Sequence, residues 1–317
     1  MTSVRVGIVS WNTAPLLERC LAALPAALGD VDATVVVVDN ASGDGSADTA
    51  ARSPDVEVVR NAENAGYARA MNQALAGEAD VLIALNPDTV APPGSLATLA
   101  QRLLDAPDVG LVVPRLVNSD GTLQHSVYRF PSPRQAAAVL LSPRSVLRRG
   151  VGERWWAEGH APHDRAADID WAIGAVHVIR AAALAGRPPY DERSFMYVED
   201  VDLCWRLAQS GWRRRLEPDL QVVHVGNASG AQAWGNGRTE RWMTATYDWY
   251  QGTFGTAATR RWAAVNTTAV TLQLLGALPG AALGSVWRRR RVRELSGMLP
   301  LQLRAIAAGG VTSGGRP

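Results

Sequence analysis

The stretch Val81-Leu82-Ile83-Ala84-Leu85-Asn86-Pro87-Asp88 decides the fold. Five consecutive apolar residues have the length and makeup of a strand buried on both faces, and the run stops at a carboxamide and a carboxylate. Ligands of an open α/β sheet bind beyond the C-terminal ends of its strands, so Asn86 and Asp88 stand where a ligand is expected. Two oxygen-bearing side chains two residues apart can share a hard divalent cation, Mg2+ or Mn2+, which a diphosphate commonly brings.

Upstream, strand-like and helix-like stretches alternate. Val4–Ser10 precedes Pro15–Leu28, Thr34–Asp39 precedes Ser46–Ala51, Val56–Arg60 precedes Gly66–Ala76, and Ser95–Leu104 leads to Val109–Pro114. All-apolar strands separated by helices predict a mostly parallel sheet covered on both faces, an α/β fold. A dinucleotide-binding domain would carry G-x-G-x-x-G after its first strand, but this strand runs into Ser10-Trp11-Asn12-Thr13-Ala14. The second strand ends at Asp39, whose carboxylate can accept the N3–H of uracil or thymine while Trp11 offers a stacking face and Ser10 a small donor. Asp39 can equally cap the turn Asn40-Ala41-Ser42-Gly43-Asp44-Gly45. In Asn64-Ala65-Gly66-Tyr67-Ala68-Arg69, a glycine at a helix start allows close backbone approach, and Arg69 either meets phosphate or is an exposed helix arginine.

Four segments in this order, Val9-Ser10-Trp11-Asn12, Val37-Val38-Asp39-Asn40-Ala41-Ser42, Asn64 through Asn72 and Asn86-Pro87-Asp88, resemble the nucleotide-binding half of family 2 glycosyltransferases with the GT-A fold, and especially the rhamnosyltransferase-like branch. The resemblance implies that Ser10, Trp11, Asn12, Asp39, Gly66 and Arg69 bind the nucleotide of a dTDP- or UDP-sugar. It also implies that Asp88 holds a divalent metal on the diphosphate. Asn86 replaces the first aspartate of the family's D-x-D motif, and an amide oxygen binds a cation less strongly, which leaves most of the charge to Asp88.

The second cluster spans Pro189 to Arg206, where aromatic residues lead into Glu199-Asp200-Val201-Asp202 and an amphipathic helix with Leu203 and Leu207 on one face. Acids in a first helical turn favour the helix dipole, and Asp202 can pair with Arg206. Neither effect requires Glu199 beside Asp200. The stretch resembles the family's acceptor-side signature, which makes Asp200 the general base and Glu199 its neighbour. Asp170-Trp171-Ala172-Ile173-Gly174-Ala175 looks like the acceptor-facing segment, implying roles for Trp171, Gly174 and Ala175. His224, ending the strand-like Leu220–Val225, is either a core histidine or, by the resemblance, a metal or diphosphate contact. Gly226–Gly237 reads as a mobile lid, followed by Arg238 and Arg241, which either screen the diphosphate or line a solvated face.

Of the 317 residues, 47% are hydrophobic and 20% charged, and the net charge of +2 is too near neutral for a dedicated nucleic-acid binder. Every basic residue is arginine. Cys20 and Cys204 fall in helix-like stretches without zinc or disulfide spacing and read as core thiols. The N-terminus shows no secretory pattern, so a cytoplasmic location is expected. Between Trp262 and Trp287 there is no charge, yet Asn266, Thr267, Thr268, Thr271 and Gln273 fill one half and Pro279-Gly280 breaks the other. Two short helices lying on the inner face of the membrane, with Arg288–Arg291 against anionic lipid, fit this better than a span, and a plain helical extension is the alternative.

The expected organisation is a nucleotide-sugar-binding half over 1–115, an acceptor half over 116–240, and a helical C-terminal extension over 241–317. The expected activity is inverting transfer of L-rhamnose or a related hexose to a glycan or polyprenyl-diphosphate-linked acceptor in cell-envelope polysaccharide synthesis. A sugar-nucleotide nucleotidyltransferase would need a glycine- and lysine-bearing loop, and the chain has no lysine. A catalytically inactive nucleotide-sugar-binding protein is opposed by the intact Glu199-Asp200 pair.

Overall fold

The computed structural model describes residues 2–141, 163–193, 195–226 and 238–309. Of the expected lid, Gly226–Gly237, residues 227–237 lie outside the described residues, as does the side chain of Arg238. The chain divides into two compact units, Met1–Tyr128 with Ala161–Gly235, and Arg129–His160 with Asn236–Pro317.

The first unit is built on strands β1 (Val4–Ser10), β2 (Ala33–Asp39), β3 (Val56–Arg60), β4 (Val81–Leu85), β5 (Thr89–Val90), β6 (Val109–Val117), β7 (Val127–Tyr128), β8 (Ala167–Asp168), β9 (Trp171–Ala172), β10 (Val176–Arg180) and β11 (Arg213–His224). Between them run helices α1 (Ala14–Leu28), α2 (Ser46–Ala51), α3 (Tyr67–Ala74), α4 (Ser95–Asp105) and α6 (Glu199–Gln209). The main sheet has the order β3-β2-β1-β4-β10-β6-β11-β5, with β8 on β11, and β7 pairs with β9 in a small second sheet. β3, β2, β1 and β4 are mutually parallel; the inner strand β4 is apolar and buried throughout, whereas the edge strand β3 carries Glu57 and Arg60 and is mostly exposed. The mostly parallel α/β sheet is therefore as expected. β10 is inserted antiparallel between β4 and β6.

That insertion places the site. Parallel register sets Ser10 beside Asp39, so β1 and β2 end at one edge, and β4 ends there too. Because β10 runs the other way, Val176 at its start pairs with Leu85 at the end of β4. The core beneath is aliphatic, with Ile8, Leu17, Val37, Ile83, Leu85, Leu96, Leu99 and Val178 essentially inaccessible. Cys20 and Cys204 are free and buried, and burial pushes both thiols up to about 12, so they are inert core groups.

The second unit packs α5 (Pro133–Leu141), α7 (Arg238–Phe254), α8 (Thr256–Ala282) and α9 (Val286–Ala308). Met243, Tyr247, Ala263, Leu301 and Ala305 form its core, with Trp262 stacked on Tyr250 at 4.5 Å. Here the expectation of two short helices broken at Pro279-Gly280 is corrected, since α8 runs unbroken for 27 residues. Thr267 and Thr268 donate their hydroxyls to the carbonyls of Ala263 and Ala264 one turn earlier, so these two hydroxyls are satisfied within the helix. Pro279 falls in the last turns, where its missing N–H costs a single backbone bond. No helix among the described residues is long and apolar enough to cross a membrane.

Candidate active site

At the end of β2, Asp39 is 4% exposed. Its Oδ2 accepts from the Ser42 backbone N–H at 3.0 Å, so it does cap the turn, but Oδ1 is buried without a hydrogen-bond partner. An orphaned carboxylate oxygen is costly unless a ligand supplies a donor. Ser10 is fully buried and its hydroxyl engages Thr13 at 2.8 Å. Asn12 adopts a left-handed backbone, its N–H donating to Ser42 Oγ and its Oδ1 accepting from Gly43 N–H, which pins the first loop to the second. Trp11 beside them is half-buried.

Sequence reasoning passed over Asn40. Its Oδ1 accepts from Asn61 Nδ2 and Ala65 N–H, both at 3.0 Å, and its Nδ2 donates to Asn64 Oδ1 at 2.8 Å. The recurrence of asparagine in these loops was the available signal. The backbone at Gly66 has φ +85°, and a Cβ there would lie 2.6 Å from the Phe195 carbonyl oxygen. Tyr67 N–H donates to that same oxygen at 3.0 Å, so the loop before α6 is the closest neighbour of Gly66. Arg69 is exposed on α3.

Past the end of β4, Asn86 N–H donates to the Ala175 carbonyl at 2.9 Å, tying the end of β4 to the start of β10. Asp88 and His224 are each 7% exposed, and His224 Nε2 lies 3.2 Å from Asp88 Oδ1. A residue the sequence did not suggest, Gln124, fixes the ring. Its amide nitrogen donates to Asn118 Oδ1 and the His224 carbonyl, leaving Oε1 to accept from His224 Nδ1–H at 2.6 Å. His224 Nε2 then faces a carboxylate, an arrangement that a proton or a cation between the two atoms would complete. One carboxylate and one imidazole suit a Mg2+- or Mn2+-type ion whose remaining ligands come from diphosphate and water. Among the described residues no cluster of three His, Cys, Asp or Glu side chains could complete such a shell without substrate.

In the loop before α6, Tyr197 and Val198 are consecutively left-handed, with φ 73° and 65°. For β-branched Val198 this is a true outlier, of a kind that costs about 1–3 kcal/mol and persists where the surroundings enforce it. The strained pair delivers Glu199 and Asp200 as the first residues of α6. Asp200 Oδ1 accepts from Val201 N–H at 2.8 Å and Oδ2 from Gly174 N–H at 3.3 Å. Burial raises Asp200 to about 6, and burial, then the charge on Asp200, raises Glu199 to about 8. Glu199 is 8% exposed and its Oε2 has no hydrogen-bond partner. The pair is therefore set to hold one proton near neutrality, with Asp200 the more readily ionised. Asp202 pairs with Arg206 at 2.7 Å, as helix spacing predicts.

Tyr67 belongs to the same cluster, although the sequence motif that contains it assigns it no role. Its hydroxyl donates to the Gly174 carbonyl at 3.2 Å, and Gly174 N–H in turn donates to Asp200. Burial, then the charges of Glu199, Asp200 and Asp88, hold its phenol well above the usual range, so three site carboxylates surround one hydroxyl. Below lies Tyr190, whose hydroxyl donates to His177 Nδ1 at 3.1 Å, while His177 Nε2–H donates to the Ala172 carbonyl. Burial lowers His177 to about 4, keeping it neutral. Trp171 is buried and stacked on Tyr128 at 4.6 Å, and Ala175 is buried, whereas Gly174 is half-buried. A Cβ at Gly174 would meet Tyr67 and Asp200 only at ordinary contact distance, so packing alone does not require a glycine.

Residues 5–155 match the description of Glycosyl transferase family 2. The N-acetylglucosaminyl-diphospho-decaprenol L-rhamnosyltransferase of Mycobacterium tuberculosis is 31% identical over 238 residues, 68% of this chain and 74% of that protein. A pre-mycofactocin glycosyltransferase of the same organism is 31% identical over 60% of this chain and 37% of its own length. Among solved structures, a mannosyltransferase from Pyrobaculum calidifontis in complex with GDP-Man and Mn2+ superposes with a TM-score of 0.56 at 20% identity, covering 96% of this chain and 86% of that one, a likeness of fold. Sequence and fold agree: the chain belongs to glycosyl transferase family 2 and is a glycosyltransferase.

Proposed function

We propose that this enzyme transfers L-rhamnose from a dTDP- or UDP-linked donor, with inversion, to N-acetylglucosamine on a polyprenyl diphosphate, in cell-envelope polysaccharide synthesis. The observation that carries the reading is the Glu199-Asp200 pair, with Glu199 buried and its Oε2 without a hydrogen-bond partner, and Asp200 oriented by Gly174, whose carbonyl accepts from Tyr67. The relative's printed activity supports the donor sugar and the acceptor. Asp39 Oδ1 accepts the N3–H that uracil and thymine share, with Ser10 and Asn12 shaping the loop, Trp11 against the base, and Gly66 and Arg69 at the start of α3. Asp88 and His224, helped by the Asn86 amide, hold a divalent cation, which when bound offsets the charge developing on the leaving diphosphate.

Asp200, ionised near neutral pH, takes the proton from the acceptor hydroxyl as its oxygen attacks the anomeric carbon from the face opposite the diphosphate. A single displacement inverts the anomeric centre. The open Gly174 backbone lets the acceptor sugar reach Asp200, while Trp171 and Ala175, buried in the fold, hold that segment in place. The organisation proposed is a donor half over 1–115, an acceptor half over 116–240 and a helical extension over 241–317. A lipid-linked acceptor puts the enzyme at the cytoplasmic membrane surface.

The test is a panel of dTDP- and UDP-sugars with a polyprenyl-diphosphate-linked N-acetylglucosamine, with and without Mn2+, following nucleoside diphosphate release and product anomeric configuration. Asp200→Asn is expected to lower transfer by about 100- to 10,000-fold with nucleotide affinity intact. Near wild-type transfer by that variant, or a retained configuration, would refute the mechanism.

A further inference from the structure

We infer that the turn joining α8 to α9 is a docking surface for an anionic lipid bilayer, which the helices meet from the side without crossing. Among the described residues nine large apolar side chains are exposed, and six of them, Leu272, Leu275, Leu278, Leu283, Val286 and Trp287, fall within this one stretch. Leu283 is 88%, Val286 80% and Trp287 61% exposed among the described residues. Isolated apolar side chains on a surface need no account, but a contiguous tip of leucine, valine and tryptophan marks an interaction site.

The charges beside the tip identify the occupant. α8 carries no ionisable side chain after Arg261, and the first ionisable residues met beyond the tip in the sequence are Arg288 to Arg291, then Arg293. Arg288 Nη1 donates to the Gly276 carbonyl at 3.2 Å and Arg289 Nε to the Ala281 carbonyl at 3.1 Å, so both guanidiniums fold back over the end of α8. Gly280 makes room for this, since a Cβ there would lie 2.1 Å from Arg288 Cδ. These bonds stiffen the turn and occupy only part of each five-donor fork, so the Arg288 and Arg289 cations are held against the end of α8 next to the apolar tip. Glu294, which pairs with Arg290 at 3.0 Å, is the one acid between Arg261 and the end of α9. Apolar side chains ahead of fixed guanidiniums match a bilayer in depth, acyl chains first and anionic headgroups behind, with tryptophan at the boundary. A second copy of the chain would bring the same cations into opposition.

The inference rests on the lipid-linked acceptor proposed above only for its purpose. The experiment is flotation of the full-length chain with phosphatidylglycerol-containing vesicles and with phosphatidylcholine vesicles, across salt concentrations, beside donor turnover on a short-chain acceptor analogue. Wild-type protein should float with the anionic vesicles and be released by salt. Leu283→Glu/Trp287→Glu should lose at least about tenfold in partitioning while retaining turnover on the short-chain analogue, and Arg290→Gln/Arg293→Gln should lose about fivefold per arginine on anionic vesicles only. Wild-type that fails to float, a Leu283→Glu/Trp287→Glu variant that floats unchanged, or dimerisation abolished by that variant without vesicle binding would each overturn the proposal. Flotation without transfer to any lipid-linked acceptor would instead overturn the proposed function and leave this surface standing.

Discussion

Replacing Glu199 by glutamine keeps the shape of the buried side chain and removes its proton chemistry, so the variant should respond differently to pH. In the wild type, burial and the neighbouring Asp200 move this carboxyl from its usual 4.5 to about 8. A raised value means that the folded protein binds the proton more tightly than the unfolded chain. The contribution is fully present below about 4.5 and is lost as pH rises through about 8. At about 1.4 kcal/mol per tenfold change, the ceiling on that loss is about 5 kcal/mol, and sharing of the proton with Asp200 reduces it to a few kcal/mol. Glutamine, which binds no proton in either state, escapes the loss. Urea unfolding from pH 5 to pH 8 should therefore show Glu199→Gln gaining on the wild type by a margin that widens steadily across the range. The rate profile supplies a second measure. Asp200 is raised chiefly by its own burial, so the acid limb near pH 6 should persist in the variant while any alkaline limb near pH 8 disappears. A stability difference that stays constant with pH would show that Glu199 carries no buried charge penalty, and the assignment of the pair would fall with it.

Three further outcomes can be checked independently. Asp88→Ala should abolish Mn2+-dependent donor binding measured by calorimetry, leaving the weaker metal-free binding in place; equal heats with and without Mn2+ in the wild type would contradict the assignment. Asp39 should discriminate against a nucleoside diphosphate methylated at N3, since a hydrogen bond to a charged acceptor contributes about 1.5–3 kcal/mol, and Asp39→Ala should erase the difference. Tyr67→Phe removes the bond to Gly174 and about 1 kcal/mol of stability, and because Gly174 orients Asp200 it should lower kcat with little change in donor KM. A variant that changed stability alone would reduce Tyr67 to a packing residue.

Much of the donor side is legible in the sequence because its signals are local. Val81–Leu85 is apolar throughout because the strand is covered on both faces, and Asp39 and Asp88 follow such runs directly. Cys20 and Cys204 are core thiols for the same local reason. The features that escape a linear reading are made by distant segments. Phe195 fills the space at Gly66 from 129 positions away, and Gln124 orients His224 from 100 positions away. The reversed direction of β10 has no compositional signature, since Val176–Arg180 reads like any buried strand. The left-handed Tyr197 and Val198 are invisible because neither residue type favours that conformation. In the C-terminal helices the sequence misled: Pro279 reads as a break, but close to a helix end its cost is small and Arg288 folds over the same carbonyl-rich turn.

The reversed strand has a consequence for how such enzymes diversify. Because β10 starts where β4 finishes, the chain entering it is moored to the donor edge by one backbone bond, from Asn86 to Ala175. In the proposed reading, the loops around the small β7–β9 sheet, short of the Tyr67–Gly174 tie, can be lengthened, shortened or recoloured without moving the strands assigned to the nucleotide. A lineage can therefore keep one activated sugar and explore new recipients, with selection acting on a segment whose far end never has to be rebuilt.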